Sequence, residues 1–215
     1  MPSLTPRTVS SARASSKDVE LAFSLKNRLA AIPAGRYLLF FSIAAIGCAT
    51  DLLSKHWVFQ WRGMPRANNE WWIWEGHVGI ETALNSGALF GMGAGNSGLF
   101  ATLSIVAAAG ILIWLFYNGA ARDRLLTISL ACVTGGIFGN LYDRLGFWYP
   151  PGMPGEWRNE VRDWILLRYQ GYTWPNFNIA DCLLVCGATM LALHAFWYHE
   201  PKHDAKPTEV ASKVA

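Results

Sequence analysis

The sequence predicts an all-α membrane protein with four transmembrane helices and a small β element outside the bilayer. Three observations lead there. Of 215 residues, 52% are hydrophobic and only 15% charged, against roughly 25% charged in a soluble domain. The apolar residues come in four long blocks, each near the ~20 residues that cross a bilayer as a helix. Most of the 11 tryptophans lie at block ends or between blocks, and Trp and Tyr favour the membrane–water interface.

The first block runs from about Tyr37 to Phe59 and carries Asp51 and Lys55 near its end. The second, Gly98 to Tyr117, has no charge. The third, Leu125 to Tyr142, is uncharged and slightly short, and the fourth, about Ile179 to Tyr198, holds Asp181 near its start. Residues 1–34 read as a polar, disordered extension, 35–200 as the membrane domain and 201–215 as a disordered tail. No apolar core follows the early charges directly, so the N-terminal segment does not read as a cleavable signal peptide.

Lysine and arginine set the orientation. If all four blocks span, one side holds Arg7, Arg13, Lys17, Lys26, Arg28, Arg36, Arg122, Arg124, Lys202, Lys206 and Lys213. The other holds Arg62, Arg66, Arg144, Arg158, Arg162 and Arg168, spread over two longer loops. The positive-inside rule then places both termini in the cytoplasm and loops 60–97 and 143–178 outside. In the first loop, Val78, Ile80, Thr82 and Leu84 alternate with period two, which predicts a strand in a small sheet on the membrane. The Pro/Gly-rich run 148–156 reads as irregular.

The net charge of +3 is small and its basic residues are scattered, so nucleic acid is not an expected partner. Cys48, Cys132, Cys182 and Cys186 all lie in apolar blocks and read as packing residues rather than disulfides or metal ligands. No metal and no cofactor is expected.

With this topology the polar residues of the blocks meet at one face. Asp51 and Lys55 lie in the outer half of the first block, Asn140, Asp143 and Arg144 end the third, and Asn178 and Asp181 open the fourth. Each has an ordinary structural reading. Asn178 three residues before Asp181 resembles a helix cap. Asp143-Arg144 fits an interfacial ion pair, and Asp51 and Lys55 fit an i, i+4 pair. Gly135 and Gly139 have the spacing of close helix packing, and Asp163 fits a solvated surface acid. Those readings leave unexplained why the acids share one face, and ionisable residues in such a setting are functional candidates. Two adjacent carboxylates cannot both ionise cheaply, so one keeps a proton. Such a pair can activate water and protonate a scissile carbonyl without metal or nucleophile.

Four motifs occur in order: Asp51-x-x-x-Lys55; Asn85-Ser-Gly-Ala-x-Phe90-Gly91; Gly135-Gly136-x-x-Gly139-Asn140-x-x-Asp143-Arg144; and Phe177-Asn178-x-Ala180-Asp181. Together they resemble the lipoprotein signal peptidase (signal peptidase II) family over about residues 37–198. The resemblance implies an aspartyl dyad that removes the signal peptide from diacylglyceryl-modified prolipoproteins, just before the lipidated cysteine, at the outer face of the bacterial inner membrane. It assigns the dyad to Asp181 and to Asp163 of Val161-Arg162-Asp163-Trp164, with Asp143 as runner-up. It assigns supporting roles to Asp51, Lys55, Asn85, Asn140, Asp143, Arg144 and Asn178, of which Asn140, Arg144 and Asn178 are expected to position the dyad by hydrogen bonds. The chain departs from the family in the extra run Trp148-Tyr-Pro-Pro-Gly-Met-Pro-Gly155, in Arg162 where an apolar residue is usual, and in a longer N-terminal extension. The partners implied are the lipid-modified substrate and membrane lipid, and a monomer suffices for a bundle of this size. Two rival readings remain, a small proton- or ion-coupled transporter, which needs acids near the midplane, and a non-catalytic scaffold.

Overall fold

A computed structural model describes residues 32–87, 93–150, 152 and 155–197. The N-terminal extension and C-terminal tail, apart from residues 32–34, lie outside the described residues, as do Phe90 and Gly91 of the second motif and part of the Pro/Gly-rich run.

Four helices are long and apolar enough to cross a membrane. Helix α1 spans Ala34–Arg62, α2 Ser97–Leu112, α3 Arg124–Arg144 and α4 Ile179–Trp197. All four expected blocks are therefore helical, and α1 and α3 extend a few residues beyond them into polar sequence. Helix α2 continues through a wider π-turn at Ile113–Tyr117. The chain then reverses at Gly119, whose φ of +80° suits a residue without Cβ. Asp123 caps α3, accepting from the Leu126 N–H at 2.8 Å.

Helix α3 packs against the other three helices. Its small residues permit this. A Cβ on Gly135 would lie 3.0 Å from the Ala44 carbonyl oxygen of α1, and one on Gly136 2.5 Å from the Ala180 carbonyl oxygen of α4. The Gly135/Gly139 spacing thus serves close packing on α1, where a Cβ on Gly139 would meet the Asp51 side chain, while Gly136 serves it on α4. By contrast α2 buries only Ala101 and Ala108, and it leaves Leu99, Leu103, Ile105 and Val106 exposed. Exposed apolar residues also line α1 (Leu38, Phe41, Ile46) and α4 (Val185, Phe196). This is the surface that hydrocarbon chains would cover.

The two ends of the bundle differ. One holds an apolar cluster including Phe40, Leu115, Phe116, Leu126 and Leu130. The other carries an antiparallel four-stranded sheet in sequence order. Its strands are β1 (Trp71–Trp74), β2 (Val78–Asn85), β3 (Val161–Tyr169) and β4 (Tyr172–Phe177). The alternation at 78–84 is indeed a strand, but half of the sheet comes from the second loop, where no strand was expected. The Pro/Gly-rich run is mostly irregular where described, with a short 3-10 turn at Gly155–Trp157.

Candidate active site

Strand β3 sets Asp163 opposite Ala83 of β2, with Val161 opposite Asn85. This brings Asn85 within reach, and its Nδ2 donates to Asp163 Oδ2 at 3.2 Å. At the start of α4, Asn178 and Asp181 form a reciprocal cap. The Asp181 N–H donates to Asn178 Oδ1 (3.0 Å) and the Asn178 N–H to Asp181 Oδ2 (3.1 Å). The capping reading is therefore correct, and it leaves Asp181 Oδ1 available for a further partner.

That partner is Asn140, whose Nδ2 donates to Asp181 Oδ1 at 2.9 Å. Asn178 Nδ2 donates to Asp163 Oδ1 at 2.6 Å and to Asn140 Oδ1 at 3.1 Å. The two asparagines thus form a chain of hydrogen bonds between Asp163 and Asp181. Lys55 fixes the direction of that chain, because its Nζ donates to Asn140 Oδ1 at 2.9 Å. An amide with its oxygen held by a cation presents its NH2 group to the carboxylate.

Behind this chain lies a buried charge network. Lys55 Nζ is 2.7 Å from Asp51 Oδ2 and 3.3 Å from Asp143 Oδ2, and all three side chains are fully buried. Asp51 Oδ1 accepts the Ala180 N–H at 2.8 Å, so an acid of α1 satisfies a first-turn donor of α4. Arg162 completes the network, with Nη2 2.7 Å from Asp143 Oδ1. Charges buried to this degree persist only when paired and hydrogen-bonded.

Several structural readings change here. Asp163 is 2% exposed rather than a solvated surface acid. Asp143 pairs with Lys55 and Arg162 rather than with its neighbour Arg144. Arg144 donates to the Gly87 carbonyl at 2.9 Å and lies 4.9 Å over the Phe100 ring, so it braces the site wall rather than hydrogen-bonding either Asp163 or Asp181. In the sequence Arg162 stands out only as a departure from the family pattern, because its role depends on a contact with Asp143 of a distant element. The i, i+4 pairing of Asp51 with Lys55 is present.

Asp163 and Asp181 open together onto a groove of about 950 Å³, which Asn85, Asn140, Arg144 and Trp174 also line. Asp143, Asp51 and Lys55 do not line it. Burial pushes the Asp163 carboxyl up to about 8, and the nearby Asp181 charge adds to the effect. Lys55 and the amides of Asn178 and Asn85 act in the opposite direction without cancelling it. A carboxylic acid that keeps its proton near neutrality beside a hydrogen-bonded second carboxylate is equipped for acid–base chemistry on a neutral bond. No group of three or more His, Cys, Asp or Glu suited to a metal ion occurs among the described residues.

Four apolar helices, with an acid-bearing groove between the sheet and the ends of α3 and α4, define a multi-pass membrane protein of enzymatic type. Comparison with known proteins specifies it further. A family model described as signal peptidase (SPase) II matches residues 43–197. A lipoprotein signal peptidase of Rhodopirellula baltica is 55% identical over 188 residues, covering 86% of this chain and 84% of the relative. One from Symbiobacterium thermophilum is 30% identical, covering 71% of this chain and 90% of the relative. The chain belongs to the signal peptidase II family. A bacterial membrane enzyme determined by the in meso method at 2.3 Å resolution shares the fold, with a TM-score of 0.61 at 21% identity, covering 78% of this chain and 94% of the other.

Proposed function

We propose that this protein cleaves lipoprotein signal peptides with Asp163 and Asp181 as an aspartyl dyad. Removal of the signal peptide from lipoprotein precursors follows from family membership. The observation that supports the dyad is that these two acids, joined through Asn140 and Asn178, share one groove while the other buried acids are tied into ion pairs behind it. The transporter reading finds no support in these relatives, and the acids gather at one end of the bundle rather than along its depth.

The chemistry follows from the two environments. Asp163 holds the proton and donates it to the scissile carbonyl oxygen. Asp181, an acceptor with N–H donors on both oxygens, takes a proton from the attacking water. The water oxygen bonds to the carbonyl carbon, giving a tetrahedral diol. Its collapse breaks the C–N bond and passes a proton to the departing amine, leaving a new carboxyl terminus and a new amino terminus. No cofactor enters. The signal peptide would lie as a helix in the bilayer against α2, α3 and α4, with the bond at the outer face and both termini of the enzyme in the cytoplasm. A single chain contributes every residue named, so a monomer suffices.

Purified protein in detergent should cleave a diacylglyceryl-modified prolipoprotein before the lipidated cysteine. The same precursor without lipid should be cleaved poorly, as product mass would show. Equal cleavage of both forms would remove the lipid from the account of specificity.

A further inference from the structure

The side chain next to Asp163 on its strand does more than fill space. Arg162 is 5% exposed. Its Nη2 and Nε lie 2.7 and 3.2 Å from Asp143 Oδ1, and its backbone N–H donates to Asp143 Oδ2 at 3.0 Å. Its guanidinium carbon is 5.0 Å from the Trp148 ring and 5.9 Å from the Phe59 ring. One residue of β3 is thereby fixed to the end of α3, the end of α1 and the segment after α3.

The network shows what this does for the reaction. Lys55 faces Asp51, Asp143 and the Asn140 amide oxygen with three N–H groups. With Arg162 on Asp143, two cations meet two carboxylates and the Lys55 N–H toward Asn140 is held there. Without it, one ammonium would serve two buried carboxylates, and the uncharged amide is its weakest partner. Asn140 would then lose the contact that turns its NH2 group toward Asp181.

We propose that Arg162 is a positioning residue for the peptidase reaction, setting strand β3 so that Asp163 meets Asn178 and keeping Lys55 on Asn140. This rests on Asp163 and Asp181 being the dyad. The charged groups that act on Asp163 directly are Asp181 of α4, Lys55 of α1 and Arg144 of α3; behind Lys55 lie Asp51 of α1, Asp143 of α3 and Arg162 of β3. Removing the Arg162 charge leaves a net negative charge behind the dyad, so Asp163 holds its proton to higher pH.

The test measures kcat, KM and the pH–rate profile of the detergent-purified protein on diacylglyceryl prolipoprotein. It compares the parent with Arg162→Met, Arg162→Lys, Arg162→Met/Asp143→Asn and Asp163→Asn. Arg162→Met should lower kcat on the order of 10- to 100-fold at nearly unchanged KM, with the alkaline limb moved upward. Arg162→Lys should keep the parent limb at reduced kcat, because charge returns but the forked contact does not. The double variant should bring the limb back toward the parent. A folded Arg162→Met enzyme with parent kcat and parent limb overturns the inference, even if its melting temperature falls. If Arg162→Met does not fold, parent kcat in Arg162→Lys overturns it equally. Retained activity in Asp163→Asn would instead remove the dyad reading itself.

Discussion

Asp163 and Asp181 carry the same functional group in unlike surroundings. Asp163 is enclosed between strand β2 and the start of α4, while Asp181 stands partly exposed at a helix N-terminus with N–H donors on both oxygens. The acid pushed up to about 8 is the enclosed one. As pH rises through that value Asp163 loses its proton, and two adjacent negative charges remain where one is needed. Cleavage should therefore fall on the alkaline side with an apparent limb near 8 in a profile of kcat/KM against pH, a value belonging to the pair. Stability has the same sign. The folded chain keeps a proton that the unfolded chain releases above 3.8, so this residue's contribution declines as pH climbs from there to about 8 and then levels off. A profile flat through pH 9 would contradict the assignment of the proton to Asp163. Asp181 was legible in the sequence because its cap is local, three residues from Asn178. The burial of Asp163 was not, because it comes from β2 and α4, each far away along the chain.

At the scale of elements, the tight approach of α3 to α4 holds Asn140 against Asp181. Gly136→Val would thrust a branched side chain at the Ala180 carbonyl and Leu184, and Gly139 faces Asp51 and Ala180 in the same seam. The variant should lose about 1–3 kcal/mol of stability and most of its activity, whereas Gly98→Ala, with open space around it, should lose neither. Thermal unfolding in detergent alongside cleavage checks both. The helices were readable to within a few residues because a span needs a long uninterrupted apolar run. The strands were half readable. Strand β2 alternates, but β3 opens with Val161, Arg162 and Asp163 all buried, so both of its faces are covered there and no period of two survives. Its charged residues, which suggest a solvated loop, find their partners outside the strand: Arg162 on Asp143, Asp163 on Asn85 and Asn178, and Arg168 on Glu70.

For the whole molecule, the polar cluster and the sheet lie at one bundle end and the apolar cluster at the other. By the positive-inside rule, the distribution of Lys and Arg would put the sheet on the outside, and that proposal can be tested directly. In a cysteine-free background, Gly76→Cys between β1 and β2 should react with an impermeant maleimide in intact spheroplasts. Asn118→Cys between α2 and α3 should react only after permeabilisation. The reverse pattern would invert the topology and place the groove on the wrong side for exported precursors. The aromatic residues at the sheet end, including Trp57, Trp61, Trp71, Trp74, Tyr169 and Trp174, are exposed there, as side chains at a headgroup region would be.

The measurement closest to the central claim is cleavage of diacylglyceryl prolipoprotein by the folded, detergent-purified parent and by Asp163→Asn, Asp181→Asn and Asp143→Asn. Each dyad variant should lose on the order of 10³-fold or more in kcat. Asp143→Asn should keep measurable activity, since it breaks a supporting ion pair and not the reacting pair. An active Asp163→Asn protein together with an inactive Asp143→Asn protein would contradict the account and move the dyad one layer deeper into the bundle.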